Sequence, residues 1–157
     1  MKIKILLASL FLSVLNAEEL KIKAETFSAD QKTGISIFSG NVNMIKESDE
    51  LNASKVTVYL DKEQKPFKFL AEKDVSFVIK TEDGSHYSGK AQKVIYFPIK
   101  KEYHFFEKVN LKQLNDKKEI IGEEVILKTI EGTASAKGGK KEPVIMIFDL
   151  NNTTEKR

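Results

Sequence analysis

Two histidines, no cysteine and scattered carboxylates are the raw material for catalysis in this chain. His86 follows the turn residue Gly84, and His104 sits between Tyr103 and Phe105. No carboxylate or nucleophile is spaced to work with either histidine as a general base. Glu123-Glu124 and Asp49-Glu50 are adjacent carboxylates, but neighbours on an extended chain point to opposite faces and cannot flank one glycosidic bond. Two separated histidines without cysteine do not make a metal set, and no Gly-rich loop is present to cradle phosphates. The chain therefore does not read as an enzyme, and no catalytic residue, metal or other cofactor is expected.

What recurs instead is apolar. A small residue is followed three positions later by a hydrophobic one and two further on by another, at Ala24/Phe27/Ala29, Ala53/Val56/Val58, Ala91/Val94/Tyr96 and Gly122/Val125/Leu127. Between these copies fall Val42/Met44, Val75/Phe77 and Val109/Leu111. The two patterns interleave with a unit of roughly thirty residues, which describes one short β supersecondary unit repeated. Within it, segments such as Lys55–Leu60, Phe67–Ala71 and Val75–Ile79 alternate at period two, as half-buried strands do.

Polar tips separate the strands at Lys32-Thr33-Gly34, Glu47–Glu50, Asp61–Pro66, Glu82–Ser85 and Asn115–Lys118. The stretch Glu47–Leu51 has enough helical character for a turn of helix, although tip chemistry accounts for it. No connection is long enough for a crossover helix, so the strands must be mostly antiparallel. Parity places Val56, Val58 and Leu60 on one face, with Val94, Tyr96, Val125 and Leu127 as their repeats. On the other set Phe69, Ala71, Val75, Phe77 and Ile79 form a face broken by Lys73, repeated by Phe105, Val109 and Leu111. Two such faces opposed make an elongated all-β sandwich.

Lys2 and Lys4 precede an apolar run from Ile5 to Leu15 that ends at Asn16-Ala17. A run of about eleven residues is too short to span a bilayer, and the pattern reads as a secretory signal peptide over 1–17, cut after Ala17. One domain over 18–150 and a polar, disordered tail over 151–157 complete the expected organisation. Without cysteine, burial alone must hold an exported domain together. The formal charge of +3 includes Lys2 and Lys4, so the processed chain carries 3 − 2 = +1, and nucleic acid is not expected among its partners.

Ser39–Met44, Leu51–Val58 and Leu70–Phe77, continued through Ser88–Tyr96 and Ile121–Val125, resemble the LptA/OstA-type proteins of periplasmic lipopolysaccharide transport. The resemblance implies a twisted β-jellyroll open along one side, in the periplasm, whose groove cradles the acyl chains of lipopolysaccharide. It implies head-to-tail stacking between an LptC-like protein at the inner membrane and an LptD-like protein at the outer one. The groove wall would then be Val42, Met44, Val56, Val58, Leu60, Phe69, Val75, Phe77, Ile79, Val94, Tyr96, Phe105, Val109, Leu111, Val125 and Leu127. Phe67 and Phe106 are further aromatic candidates, and Lys46, Lys73, Lys100, Lys101 and Lys108 are candidates for lipid phosphates. At Lys73-Asp74 and Glu107-Lys108 this chain lacks the glycine that Gly40 supplies in the first copy, so a different local turn is expected there.

Stacking needs free edges, and the terminal segments Leu20–Phe27 and Pro143–Leu150 are the candidates. Val144–Phe148 reads equally as an open edge or as one more core strand buried on both faces. Two other readings stand beside the carrier: a β-repeat interaction protein that binds no lipid, and an LptC-like adaptor that keeps its N-terminal segment as an anchor. N-terminal sequencing of the protein from the cell envelope separates the last from the first. The expected start is Glu18-Glu19-Leu20, whereas a chain beginning at Met1 supports the anchored adaptor.

Overall fold

Period-two alternation becomes ten antiparallel strands in the computed structural model, which describes residues 18–152. They are β1 (Leu20–Lys23), β2 (Thr26–Asp30), β3 (Ile35–Lys46), β4 (Asp49–Leu60), β5 (Pro66–Lys80), β6 (His86–Phe97), β7 (Glu102–Gln113), β8 (Lys118–Lys128), β9 (Thr133–Lys137) and β10 (Ile145–Phe148). They join in a single sheet of order β1-β3-β4-β5-β6-β7-β8-β10, with β2 also beside β3 and β9 also beside β8. The sheet does not close: β1 and β10 are not paired with each other. Turn chemistry sets the tips. Glu47, at φ +53°, makes the short turn between β3 and β4 where a helical turn was an alternative, and two further turns lie at 98–101 and 129–132.

The two layers of the expected sandwich are the two halves of this one sheet. In β3, β5 and β7 a pair of consecutive residues stands opposite a single residue of the next strand, the signature of a β-bulge. Gly40-Asn41 face Ser54, Lys73-Asp74 face Gln92, and Glu107-Lys108 face Glu123, each at the register shift of its strand pair. All six have positive φ, from +43° at Asn41 to +81° at Gly40. The bulges lie at one level across the sheet and crease it there. Residues 35–39, 55–60, 66–72, 93–97, 102–106 and 124–128 make the first layer with β2 and β9. Residues 42–46, 49–53, 75–80, 86–91, 109–113 and 118–122 make the second with β1 and β10.

The interleaved sequence patterns are the two sides of this crease. On β4, β6 and β8 the inward residues flanking it are three apart, Ala53/Val56, Ala91/Val94 and Gly122/Val125, so the inward parity flips. On β5 and β7 they are four apart, Ala71/Val75 and Phe105/Val109. Ala24/Phe27/Ala29 marks the same level at the edge, where the chain breaks between β1 and β2 instead of bulging. A Cβ at Gly40 would crowd the exposed Glu25 side chain, whose carboxylate accepts from Asn41 Nδ2 at 2.6 Å.

Lys73-Asp74 and Glu107-Lys108 therefore differ from the expectation drawn from their missing glycine. They are mid-strand bulges, not hairpin tips, and their backbone follows that of Gly40-Asn41. Left-handed conformation costs a non-glycine residue on the order of 1 kcal/mol, and here the neighbouring ladders enforce it. Lys73 is exposed, so its substitution isolates this backbone effect. Lys73→Gly should raise the unfolding free energy in urea by about 0.5 kcal/mol, and Lys73→Val should lower it by about 1–2 kcal/mol.

Candidate functional site

The inward face is apolar from one end of the creased sheet to the other. Of the sixteen candidate wall residues all but Leu60 are buried, and Leu60, half-buried at the end of β4, packs against the same cluster. The layers touch through aromatic rings. Phe77 of the second layer lies 4.4 Å, centroid to centroid, from Phe105 of the first, a pair worth about 0.5–1.5 kcal/mol beyond its burial. Within the first layer Tyr103 stacks on its cross-strand neighbour Tyr96 at 4.4 Å.

Leu51, Tyr87 and Tyr103 belong to this interior without having been singled out from the sequence. The signal was present in the alternation: Leu51 is two residues before Ala53, and Tyr103 two before Phe105. Phe67 and Phe106 fall outside the buried cluster. His86 is exposed at the start of β6, while His104 lies 3.2 Å from Glu102, a partner two residues away on the same outward face.

Between the layers an apolar cleft is lined by Leu20, Met44, Leu51, Phe69, Ala71, Ile79, Val94, Tyr96 and Tyr103, and it holds about 30 Å³ of free space. A small-molecule pocket usually has about 300 Å³ or more, so a fatty chain enters only if the layers part. Above the cleft a polar basin of about 310 Å³ includes Glu18, Lys46, Asp49, Lys80, Glu82, Lys101 and Thr129, and it shares Lys46, Asp49, Tyr96 and Tyr103 with the cleft below. Of the lysine candidates, Lys46 and Lys101 are at this mouth. Lys73 and Lys108 are on the crease and Lys100 is exposed in the turn after β6.

Polar contacts lace the mouth from layer to layer. Lys46 Nζ donates to Tyr96 Oη at 3.3 Å, and Tyr103 Oη donates to Asp49 Oδ2 at 3.0 Å. Lys101 pairs with Glu82 at 3.6 Å, the Glu82 N–H donates to the Thr129 carbonyl at 3.2 Å, and Thr129 Oγ1 donates to the Lys101 carbonyl at 2.8 Å. Burial pushes the Asp49 carboxyl above its ordinary range, and the Lys80 N–H and Tyr103 hydroxyl offset this only in part. Burial, and then the Asp49 charge, hold the Tyr103 phenol well above its usual value, so it stays a neutral donor. Glu18 is lowered by its hydrogen bond and charge pairing with Lys46 and by the Lys101 charge.

Among the described residues both edges of the sheet are open, and the C-terminal one is apolar. At the C-terminal edge Ile145, Met146, Ile147 and Phe148 are all about half exposed, so the Val144–Phe148 run is an edge strand and not a core strand buried on two faces. At the other edge Phe27 is 61% exposed, with one side against Phe38 at 4.9 Å. The expected signal segment 1–17 lies outside the described residues, as does 153–157 of the expected tail; Leu150–Asn152 form a turn of 3₁₀-helix.

A creased antiparallel sheet with an apolar interior, a polar mouth and two open edges defines the class: an open β-jellyroll. A family profile described as LptA/(LptD N-terminal domain) LPS transport protein matches residues 21–133, and the chain belongs to this family. Its members are lipid-transport components, not enzymes. The crystal structure of LptH from Pseudomonas aeruginosa, the LptA-homologous periplasmic component of the lipopolysaccharide transport device, superposes with a TM-score of 0.74 at 16% identity. The match covers 84% of this chain and 96% of that one, and it bears out the jellyroll fold. No curated protein sequence matches significantly.

The burial of Asp49 carries a pH signature. Because folding raises the Asp49 pKa, the native state holds that proton more tightly than the unfolded chain. Its stabilising contribution is present below the ordinary aspartate value of 3.8 and is lost as pH rises through the raised native value. Asp49→Asn should remove this component. In urea titrations from pH 3 to 7, wild type should lose stability relative to the variant as pH rises; a constant difference would refute the assignment.

Proposed function

We propose that this protein carries lipopolysaccharide through the periplasm, sheltering acyl chains between its two layers, with the sixteen inward residues as the groove wall. The observation that supports this most directly is the apolar interior continuing from one open edge to the other. A buried acyl chain gains about 0.8 kcal/mol per methylene, so a multi-chain lipid crosses water slowly unless an equivalent apolar surface is offered along the way. A series of similar interiors keeps the energy nearly level from carrier to carrier, and the push must come from another component.

Strand direction supports head-to-tail stacking. The β1–β2 segment runs from the second layer to the first, and β9–β10 runs from the first to the second. Placing the β1–β2 edge of one copy against the β9–β10 edge of the next therefore continues the antiparallel alternation in both layers. Such a contact is heterologous and does not close on itself. An LptC-like protein at the inner membrane and an LptD-like protein at the outer membrane would cap the two ends of the stack.

A second reading draws on the tight interior: a β-repeat protein that stacks through its edges and binds no lipid. Titration of delipidated protein with lipopolysaccharide, with mass spectrometry of the lipid extracted from the native protein, decides between them. The carrier should show saturable binding and copurify with lipid A, and a protein that does neither is the stacking protein alone. Met146→Lys combined with Phe148→Lys, at exposed edge positions, should abolish higher oligomers in sedimentation velocity while lipid binding by the monomer persists.

A further inference from the structure

The side chain of Glu18 does something no strand requires of it. Glu18 precedes β1, its side chain is half exposed, and its carboxylate bridges two lysines from different layers. Oε2 lies 3.3 Å from Lys46 Nζ and Oε1 lies 3.6 Å from Lys101 Nζ. Both lysines are sheltered, at 19% and 34% exposure, and Lys46 is further held by Tyr96 Oη at 3.3 Å. Two ammonium groups converging on one pair of oxygens make an anion site, filled here by the chain's own carboxylate.

The surroundings point to an amphiphile. Lys46 and Tyr96 border both the polar basin and the apolar cleft beneath it, so an anion held at the lysines would have its tail directed between Met44, Leu51, Phe69 and Ile79. Two residues after Glu18, Leu20 lines that same cleft. The N-terminal segment thus covers the charged and the apolar halves of the mouth together. Glu82 and Asp49 are the other acids of the basin. Glu82 contacts Lys101 at 3.6 Å, and Asp49 is engaged by Tyr103 and the Lys80 N–H.

We propose that Lys46 and Lys101 bind the phosphate of a phosphorylated lipid whose acyl chain occupies the cleft below, and that Glu18 is a built-in stand-in that the phosphate displaces. A phosphate near neutral pH carries more charge than the single carboxylate it displaces, so the exchange favours loading. Leu20 stays in the β1–β3 ladder opposite Lys46, so the exchange changes the charged half of the mouth alone. This inference rests on the carrier reading and gives it a headgroup site and a loading trigger.

The test compares phosphorylated lipid A, its dephosphorylated form and inorganic phosphate as ligands, using the protein as it is processed in the cell. Wild type should bind phosphorylated lipid A about tenfold more tightly than the dephosphorylated form, the scale of a charge-assisted contact. Lys46→Gln combined with Lys101→Gln should erase that preference, leaving dephosphorylated binding within about twofold. Glu18→Gln should tighten phosphorylated lipid by about threefold or more and leave the dephosphorylated form unchanged. Lys62→Gln, on the β4–β5 turn and outside the linings of both cleft and basin, is the control. Should the lysine variants unfold, Glu18→Gln decides alone, since it is exposed and outside every strand.

If wild type binds both lipids equally and Glu18→Gln changes neither, the anion site is refuted while the carrier reading stands. If wild type binds neither lipid, the carrier reading fails and takes this inference with it. If inorganic phosphate alone saturates Glu18→Gln at micromolar concentration, the site serves free phosphate and the lipid assignment is overturned.

Discussion

Six residues held at positive φ, two in each of three strands, are the constraint on which the rest of this molecule depends. A flat antiparallel sheet of six long strands would have one apolar face and nothing to set against it. By placing two residues opposite one at the same level in β3, β5 and β7, the chain folds that face onto itself. The inward parity then flips on one set of strands and persists on the other, and the core becomes continuous across the crease. The backbone strain of non-glycine residues at these positions is small beside the burial it permits, because each fully buried valine or phenylalanine contributes about 1.5–3 kcal/mol.

The same geometry leaves the molecule unfinished at both ends and laced along its mouth. Among the described residues a sheet creased in this way leaves the outer backbone groups of its terminal strands without a ladder partner, and the β10 side chains stay about half exposed. Along the mouth the layers are joined by hydrogen bonds and ion pairs instead of by a continuous ladder. Contacts of this kind are individually worth about 1 kcal/mol or less, so the mouth is the part of the interior that opens at least cost. The crease, by contrast, is covalently continuous and does not part. Any opening is therefore a widening of a V hinged along the bulges, and it separates Phe77 from Phe105.

The groove-wall candidates came from alternation and were placed inside because alternation reports only which side of the backbone is apolar. It could not report how far the opposed faces stand apart. The interior is narrow, and its width is set by rings such as Phe77 and Phe105 meeting across layers, from segments distant in sequence. Likewise Lys46 and Lys101 were two of five lysines with the same local claim. Their shared carboxylate at Glu18 depends on the turn after β6 arriving beside the end of β3.

Local sequence by itself determined the strands, most of their tips, the repeat and the apolar character of the interior, because period-two patterning and turn residues act over a few positions. It also carried the crease in disguise, as a spacing of three on some strands and four on others. Only the tertiary structure decided that Lys73-Asp74 and Glu107-Lys108 take the conformation expected of glycine. The ladders on both sides fix the backbone there, whatever the residue prefers. Only the structure decided, too, that Val144–Phe148 stays open at an edge: an apolar run reads alike whether or not a second layer covers it, and coverage depends on where the sheet ends.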